Sequence, residues 1–402
     1  MIDSIQVALT GMVAYQKGLD VISNNVSNMN TVAFRGSTVD FADVFSGSPR
    51  DDGSEDGDKG LVGAGVDSSQ TVLDTTVGQA QSTGRALDAL IQGSGYFVVK
   101  DSMGATRYTR DGNFDLDAND NLIIQGQTTK VMGLDASGQL VPINLSSLQT
   151  NAAKPTTKVQ FTGDLSSNDS TFTIPSMTVV DKLGGSHTLK LVFTLDTGAG
   201  QAASTVNWDI EAFEGAQSVG TGQLQFIGQV PSEPVDITLA LAGGQSTDVS
   251  LDFTGVQDQS IVTSNPTSGT PNSTLAVSTQ DGIASGTLSS ETFDDKGVMQ
   301  LTYSNGQTVA GPTLALAEIP DEHGLVELSN SLFDYQGSKP AVLRTAGDDV
   351  KIQAQSLEGS NVDLTTEFSA LILMQRGYQA ASEVVTTAND MLQQLIDIRS
   401  GK

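Results

Sequence analysis

The sequence predicts a mainly β protein with α-helical termini that pair in a coiled-coil-like domain, and two nested β-domains, sandwich- or barrel-like, between them. Three observations lead there. Apolar residues recur at spacings of three and four over the first 29 residues and again over about the last 40, which puts one apolar face on each helix. Between these ends, short runs alternate polar and apolar residues and are separated by glycine turns. The composition is 38% hydrophobic and 5% aromatic, with 42 glycines in 402 residues, which suits many short β elements better than one large helical core.

In the first helix Ile2, Ile5, Leu9, Met12, Tyr15, Leu19, Ile22, Val26 and Met29 form the stripe. The run "SNNVSNMNT" follows, with Asn25, Asn28 and Asn30 among its four asparagines. Asparagine tolerates turn geometry and satisfies backbone groups locally, so the run is expected to stop the helix and re-aim the chain. At the other end Leu364, Phe368, Leu371, Met374, Tyr378, Ala381, Val385, Ala388, Leu392 and Leu395 repeat the pattern. Ser360 and Asp363 precede them as a capping pair. A helix over 362–399 is about 56 Å long at 1.5 Å per residue. Gly377 inside it should cost roughly 1 kcal/mol relative to alanine. Two surface helices on an ordinary core would explain either stripe alone. Termini that pair with each other and with copies of themselves explain why the stripes sit at both chain ends.

The β elements follow in order. "GSGYFVVK" carries a strand over 96–100, and "YTRDGNFDLDANDNLI" adds turn signals at Asp111-Gly112 and Asn119-Asp120. Gly184-Gly185 separates two strand-like runs, and in the second His187, Leu189, Leu191, Phe193 and Leu195 alternate with Thr188, Lys190, Val192 and Thr194. Val206, Trp208 and Ile210 alternate likewise, which places the single tryptophan on a buried face. Asn305-Gly306 is a strong hairpin signal. The stretch 47–60 is acidic and glycine-rich and is expected to be a solvated loop. The Thr/Ser/Gly-rich block reads as an autonomous β-domain inserted into a loop of another. The expected layout is therefore a helical domain of 1–30 and 358–402, a linker of 31–70, an inner β-domain of 71–145 and 285–357, and an outer β-domain of 146–284.

With 47 acidic against 20 basic residues, the formal charge is −27. Phosphate backbones and anionic lipid would repel such a chain, so neither nucleic acid nor membrane is an expected partner. There is no cysteine for disulfides, thiolate metal sites or nucleophilic catalysis. The N-terminus carries an early Asp3 and no basic region of a secretory signal, and no apolar run approaches the roughly 20 residues that span a bilayer. Export by a route without a cleaved signal is the expectation.

No constellation points to an enzyme, a cofactor or a metal. The two histidines, His187 and His323, are far apart in sequence, and no nucleophile elbow or Walker loop occurs. Asp111, Asn113, Asp115, Asp117, Asn119 and Asp120 have a spacing close to the start of a calcium loop. However, Leu116 stands where glycine is needed and Leu122 where a bidentate glutamate is needed. The exposed face of a hairpin explains them more simply. Sequons at Asn25, Asn144, Asn168 and Asn272 arise easily in this composition.

The two ends, "ALTGMVAYQKGLDVISNNVSNMNTVAFRGSTVDFADVF" and "LEGSNVDLTTEFSALILMQRGYQAASEVVTTANDMLQQLIDIR", resemble the bacterial flagellar rod and hook proteins. The resemblance rests on Asn25, Asn28, Asn30 and the Phe34-Arg35 pair at one end. At the other it rests on Ser360, Asn361, Val362, Asp363, Glu367, Gln375, Arg376 and Tyr378. "KVQFTGDLSS", "DKLGGSHTLKLVFT" and "YSNGQTVAGPTLALAEIPDEHGLVELSNSLF" are similar to the hook branch of that family. Two departures stand out: Ala33 where the family has glycine, strained if its φ is positive, and no asparagine soon after Tyr378. The resemblance implies a non-enzymatic subunit of a flexible extracellular tube that couples rod to filament and transmits torque. It also implies type III export and an inner layer of paired helices. The implied partners are copies of itself, the distal rod protein, the hook–filament junction protein, the hook cap and the export apparatus. A distal rod member and a secreted β-rich adhesin are the alternatives; the inserted block argues against the first, and the terminal stripes against the second.

Overall fold

The computed structural model describes residues 2–46, 62–68, 70–135, 137–197, 205–228, 230–254, 273–347 and 349–400. The acidic stretch 47–60 and sequon Asn272 lie outside them. Helix α1 spans Ile2–Ser27 and helix α2 spans Leu364–Ser400. Asp363 alone caps α2: its Oδ1 accepts the Thr366 N–H at 2.8 Å and its backbone oxygen the Glu367 N–H at 3.0 Å. Ser360 is not part of the cap. It sits before the first turn, and its hydroxyl reaches only the Val362 N–H, at 3.2 Å. Among the described residues neither helix is long and apolar enough to cross a membrane.

Residues 31–70, expected as a linker, contain strands too short to show an alternation. Strand β1 (Ser37–Val39) pairs with β4 (Thr71–Leu73), and β2 (Ala42–Ser46) with β3 (Val62–Asp67). The β2–β3 pair rests on α1, where the Val66 N–H donates to Thr10 Oγ1 at 3.2 Å and the Tyr15 ring meets Phe41 at 5.9 Å.

The chain divides into two compact units. The first comprises Met1–Ser146, Glu291–Gln300 and Ala310–Lys402. In it β5 (Ala80–Ser82) pairs with Ser356–Glu358, and β6 (Ala89–Gln92) with Lys351–Ala354. The centre is β7 (Tyr96–Lys100), which pairs with β8 (Thr106–Thr109) on one side, and with Lys130–Leu134 and Leu316–Glu318 on the other. Both faces of β7 are covered, which is why Tyr96, Phe97, Val98 and Val99 are all buried and the sequence shows a continuous apolar run.

The second unit comprises Ser147–Ser290 and Leu301–Val309. A five-stranded antiparallel sheet runs in order through Thr171–Val180, Ser186–Leu195, Thr205–Glu214, Gln217–Ile227 and Val230–Pro231. A four-stranded sheet is built from Val235–Leu241, Gln245–Asp252, Lys158–Thr162 and Ala276–Gln280. Their inner faces share one core: Leu189, Leu191, Phe193 and Trp208 come from the first sheet, Phe161, Ile237 and Leu251 from the second. The unit is therefore a β-sandwich. The alternation read in the sequence is the in–out pattern of these strands, with His187 and Leu195 half-buried at its ends. Asn305-Gly306 forms a tight turn, Gly306 at φ 79°.

Candidate functional site

The two helices pack antiparallel. Asn25 Nδ2 donates to Glu367 Oε1 at 3.0 Å. Farther along, Gly18 faces Met374, Gly377 faces Tyr15, and Gly11 faces Ala381. Each step back along α1 matches an equal step forward along α2, so these pairs share one register. A Cβ on Gly18 would lie 3.0 Å from Met374 Sδ, and one on Gly377 only 2.4 Å from Tyr15 Cε1. Each helix thus offers a glycine to a large side chain of the other, and this lets the two backbones approach closely.

The structure sorts the stripe residues into two groups. On α1, Ile22 is buried, Ile5, Met12, Leu19 and Val26 are half-buried, and Leu9 is exposed; the side chain of Ile2 is outside the described set. The remaining buried positions of α1 are small or polar: Ala8, Ala14, Gly18 and Asn25. On α2, Leu364, Leu371, Tyr378, Val385 and Leu392 are half-buried, whereas Phe368 and Leu395 are exposed. Ile372, Leu373, Val384, Met391, Ile396 and Ile398 join that exposed set at 45% to 76% accessibility. Helix α2 therefore carries exposed apolar side chains along its length in addition to those turned to α1. In the antiparallel register α1 is used up near Met391, so Leu395, Ile396 and Ile398 have no α1 residue opposite them.

Below the helices lies the joint where the chain leaves α1 and re-enters α2. Asn25 is buried, and its amide exchanges two hydrogen bonds with the Ser37 backbone, at 2.9 and 3.0 Å. It belongs to α1 and is sealed off from any glycan-transfer chemistry. Asn361 mirrors it from the other end: its Oδ1 accepts the Gly36 N–H at 2.8 Å, and its Nδ2 donates to the carbonyls of Asp74 and Thr76 at 3.0 and 3.1 Å. Val362 packs over Gly36. Asn28 ties the helix end to itself through the Asn24 carbonyl and Thr31, while Asn30 is exposed. The residue in left-handed conformation is none of these asparagines but Ala33, buried at φ 57°, whose N–H donates to the Glu358 carbonyl at 2.8 Å. Gln375 and Arg376 point to solvent.

Phe34 and Arg35 are both buried. Arg35 Nη2 is 2.8 Å from Glu358 Oε1, and Arg110 Nη1 is 3.2 Å from Glu358 Oε2. The Gly78 N–H also donates to Oε1 at 2.9 Å. The guanidiniums also donate to backbone carbonyls, Arg35 to Thr75 at 2.9 Å and Arg110 to Gly93 at 2.8 Å, while the buried Nε of each finds no hydrogen-bond acceptor. Arg110 lies over the Tyr96 ring at 5.3 Å, a cation–π contact. Burial pulls its pKa down and Glu358 resists that shift. Sequence reasoning selected Arg35 and missed Glu358 and Arg110. An arginine in "YTRDG", between the runs of a buried hairpin, was the signal open to it. One carboxylate shared by two buried cations fastens three segments together: the exit from α1, the approach to α2, and the β7–β8 region.

The aspartates of 111–120 are occupied locally: Asp117 Oδ1 accepts the N–H groups of Asn119 and Asn121 at 2.7 and 2.9 Å. Among the described residues no group of three or more metal-ligating side chains converges. His323 is exposed in a short turn, and His187 sits between Asp181 and Glu214.

Comparison with known proteins agrees with this layout. A family described as "Flagella basal body rod protein" matches residues 5–35, "Flagellar hook protein FlgE/F/G D1 domain" matches 90–167, and "Flagellar basal body rod FlgEFG protein C-terminal" matches 353–398. The chain is 29% identical to the flagellar hook protein FlgE of Escherichia coli K12, over 98% of this chain and 99% of that one. It is 29% identical to the FlgE of Salmonella typhimurium LT2 over 98% and 100% of the two chains, and 26% identical to that of Borreliella burgdorferi over the whole of both. The helical ends, the joint between them and these end-to-end matches agree: the chain is similar to the flagellar rod and hook proteins over nearly its whole length.

Proposed function

We propose that this chain is the structural subunit of a bacterial flagellar hook, self-assembling into a flexible tube that joins the motor's rod to the filament and transmits torque. The observation that carries this is the exposed apolar side chains strung along α2, from Phe368 and Ile372 to Leu395 and Ile398 on the overhanging end, in a chain matched over nearly its full length by hook proteins. Exposed apolar patches of this kind mark interaction surfaces, and copies of the same helix pair supply a complementary one. The joint around Glu358 would carry load from the helices to the β-domains. The terminal helices would line the tube, and the β-domains of 71–145 with 285–357 and of 146–284 would complete the subunit. Distal rod protein, junction protein, cap and export apparatus would be its neighbours in assembly. Electron microscopy of purified protein under polymerising conditions tests the reading. Tubes should form with the full chain and be lost on deletion of 1–25 or 365–402, with the β-domains still folded. Tubes formed without either helix would refute it.

A further inference from the structure

We propose that His187, with Asp181 and Glu214, forms a pH-sensitive latch at one end of the five-stranded sheet, closed when the imidazole carries both protons and opened when it loses one. The proposal does not depend on the hook reading. His187 opens the strand Ser186–Leu195, and its two ring nitrogens meet two different carboxylates: Nδ1 lies 2.7 Å from Glu214 Oε1, and Nε2 lies 3.2 Å from Asp181 Oδ2. The imidazole side chain is only 12% exposed. Each carboxylate has a second task. Asp181 Oδ1 accepts the N–H groups of Leu183 and Gly185 at 2.8 and 2.7 Å, which shapes the turn before the strand. Glu214 Oε2 accepts the Ala242 N–H at 2.8 Å. Ala242 lies in the turn between Val235–Leu241 and Gln245–Asp252, so Glu214 ties the five-stranded sheet to the four-stranded one.

A neutral imidazole has one N–H and one lone pair. Between two carboxylates it can satisfy only one, and its lone pair then faces the oxygen of the other. The imidazolium satisfies both. Of the other charged side chains on these elements, Lys182 lies in the Asp181 turn, and Lys190 is on the opposite face of its strand, its Nζ over the Phe213 ring at 4.7 Å. The two carboxylates hold the His187 pKa above its ordinary 6.5, first through the Glu214 bond. Glu214 is held below its ordinary 4.5 first by the imidazole and then by the Ala242 N–H; Asp181, against its desolvation, is held below 3.8 first by the Gly185 N–H and then by the imidazole. A raised histidine contributes stability that is complete below its unfolded value and lost as pH rises through the folded one. Depressed carboxylates contribute stability that is complete above their unfolded values and lost as pH falls through the folded ones. The latch is therefore closed in mildly acidic solution and opens as pH rises through the raised His187 midpoint.

Histidine-labelled full-length protein is titrated by NMR from about pH 5 to 9, beside thermal melts over the same range, with His187 assigned by its absence in His187→Gln. The His187 midpoint should lie above the ordinary 6.5, with melting temperature falling as it deprotonates. In Glu214→Gln that midpoint should move down, and in His187→Gln the loss of melting temperature with rising pH should flatten. A His187 midpoint at or below the ordinary value in the native protein would overturn the proposal, and so would an unchanged loss in His187→Gln. If His187→Gln fails to fold, the wild-type titration and Glu214→Gln decide.

Discussion

Replacing Gly377 with alanine sets two physical effects against each other. Helix propensity alone favours the change: glycine inside a helix costs about 1 kcal/mol relative to alanine. The packing opposes it. The new Cβ would lie 2.4 Å from Tyr15 Cε1, 2.5 Å from Cζ and 2.9 Å from Cδ1, about 1 Å inside ordinary van der Waals separation. Tyr15 cannot swing away freely, because its ring also packs on Phe41 at 5.9 Å. Overpacking of this kind costs roughly 1–3 kcal/mol, so the clash cancels or outweighs the propensity gain, and Gly377→Ala should leave the helix pair no more stable and up to about 2 kcal/mol weaker. The assay is a double-mutant cycle followed by helical circular dichroism during thermal unfolding. With Tyr15→Ala in the background the clash is gone, and Gly377→Ala should recover a stabilisation near 1 kcal/mol. If Gly377→Ala stabilises equally in both backgrounds, the glycine-for-ring packing of the two helices is wrong.

Three further substitutions test the joint and the first unit. Ala33→Val places a β-branched side chain at φ 57° and should destabilise by about 2 kcal/mol or more in denaturant unfolding, since left-handed backbone already costs an alanine about 1–2. Glu358→Gln leaves two buried guanidiniums without their counter-charge and should cost about 3–5 kcal/mol; an unchanged unfolding midpoint would mean the ion pairs contribute nothing net. Asp111 is the opposite case: burial pushes its carboxyl up to about 6 from 3.8. The folded state therefore binds the proton more tightly, and stability is lost as pH rises from about 4 through 6. Asp111→Asn keeps an acceptor for the Asn113 N–H, 2.9 Å away. It should raise stability at pH 8 by about 2–3 kcal/mol and leave it little changed below pH 4, as read from melts at both pH values.

Much of the architecture was legible because it is written in local patterns. The β7 strand shows as an uninterrupted apolar run, the sandwich strands as alternations around Phe193 and Trp208, and one hairpin as Asn305-Gly306. The strain at Ala33 was readable as a condition, and its positive φ meets that condition. The helix seam was not legible in the same way. Periodicity highlights large apolar side chains, yet close helix contact selects small ones, so Ala8, Gly18 and Gly377 carry the seam while Leu9 and Phe368 face outward. The charge network failed for a different reason. Arg35, Arg110 and Glu358 are far apart in sequence, and no local pattern marks which acid will receive which arginine. Asp363 shows the limit at the smallest scale: two candidate caps three residues apart look alike until the backbone fixes which one precedes the first turn.

The antiparallel register has a mechanical consequence. Because α1 and α2 run in opposite directions, the chain leaves one helix and enters the other at the same end, where Asn25, Asn361, Arg35 and Glu358 bond across both strands of the chain at once. The helix pair is thus a lever with a single root. A pull on either helix loads these crosslinks together, in shear, rather than opening them one after another like a zipper. Bonds that are individually modest then resist as a group at the place where the helix pair is held.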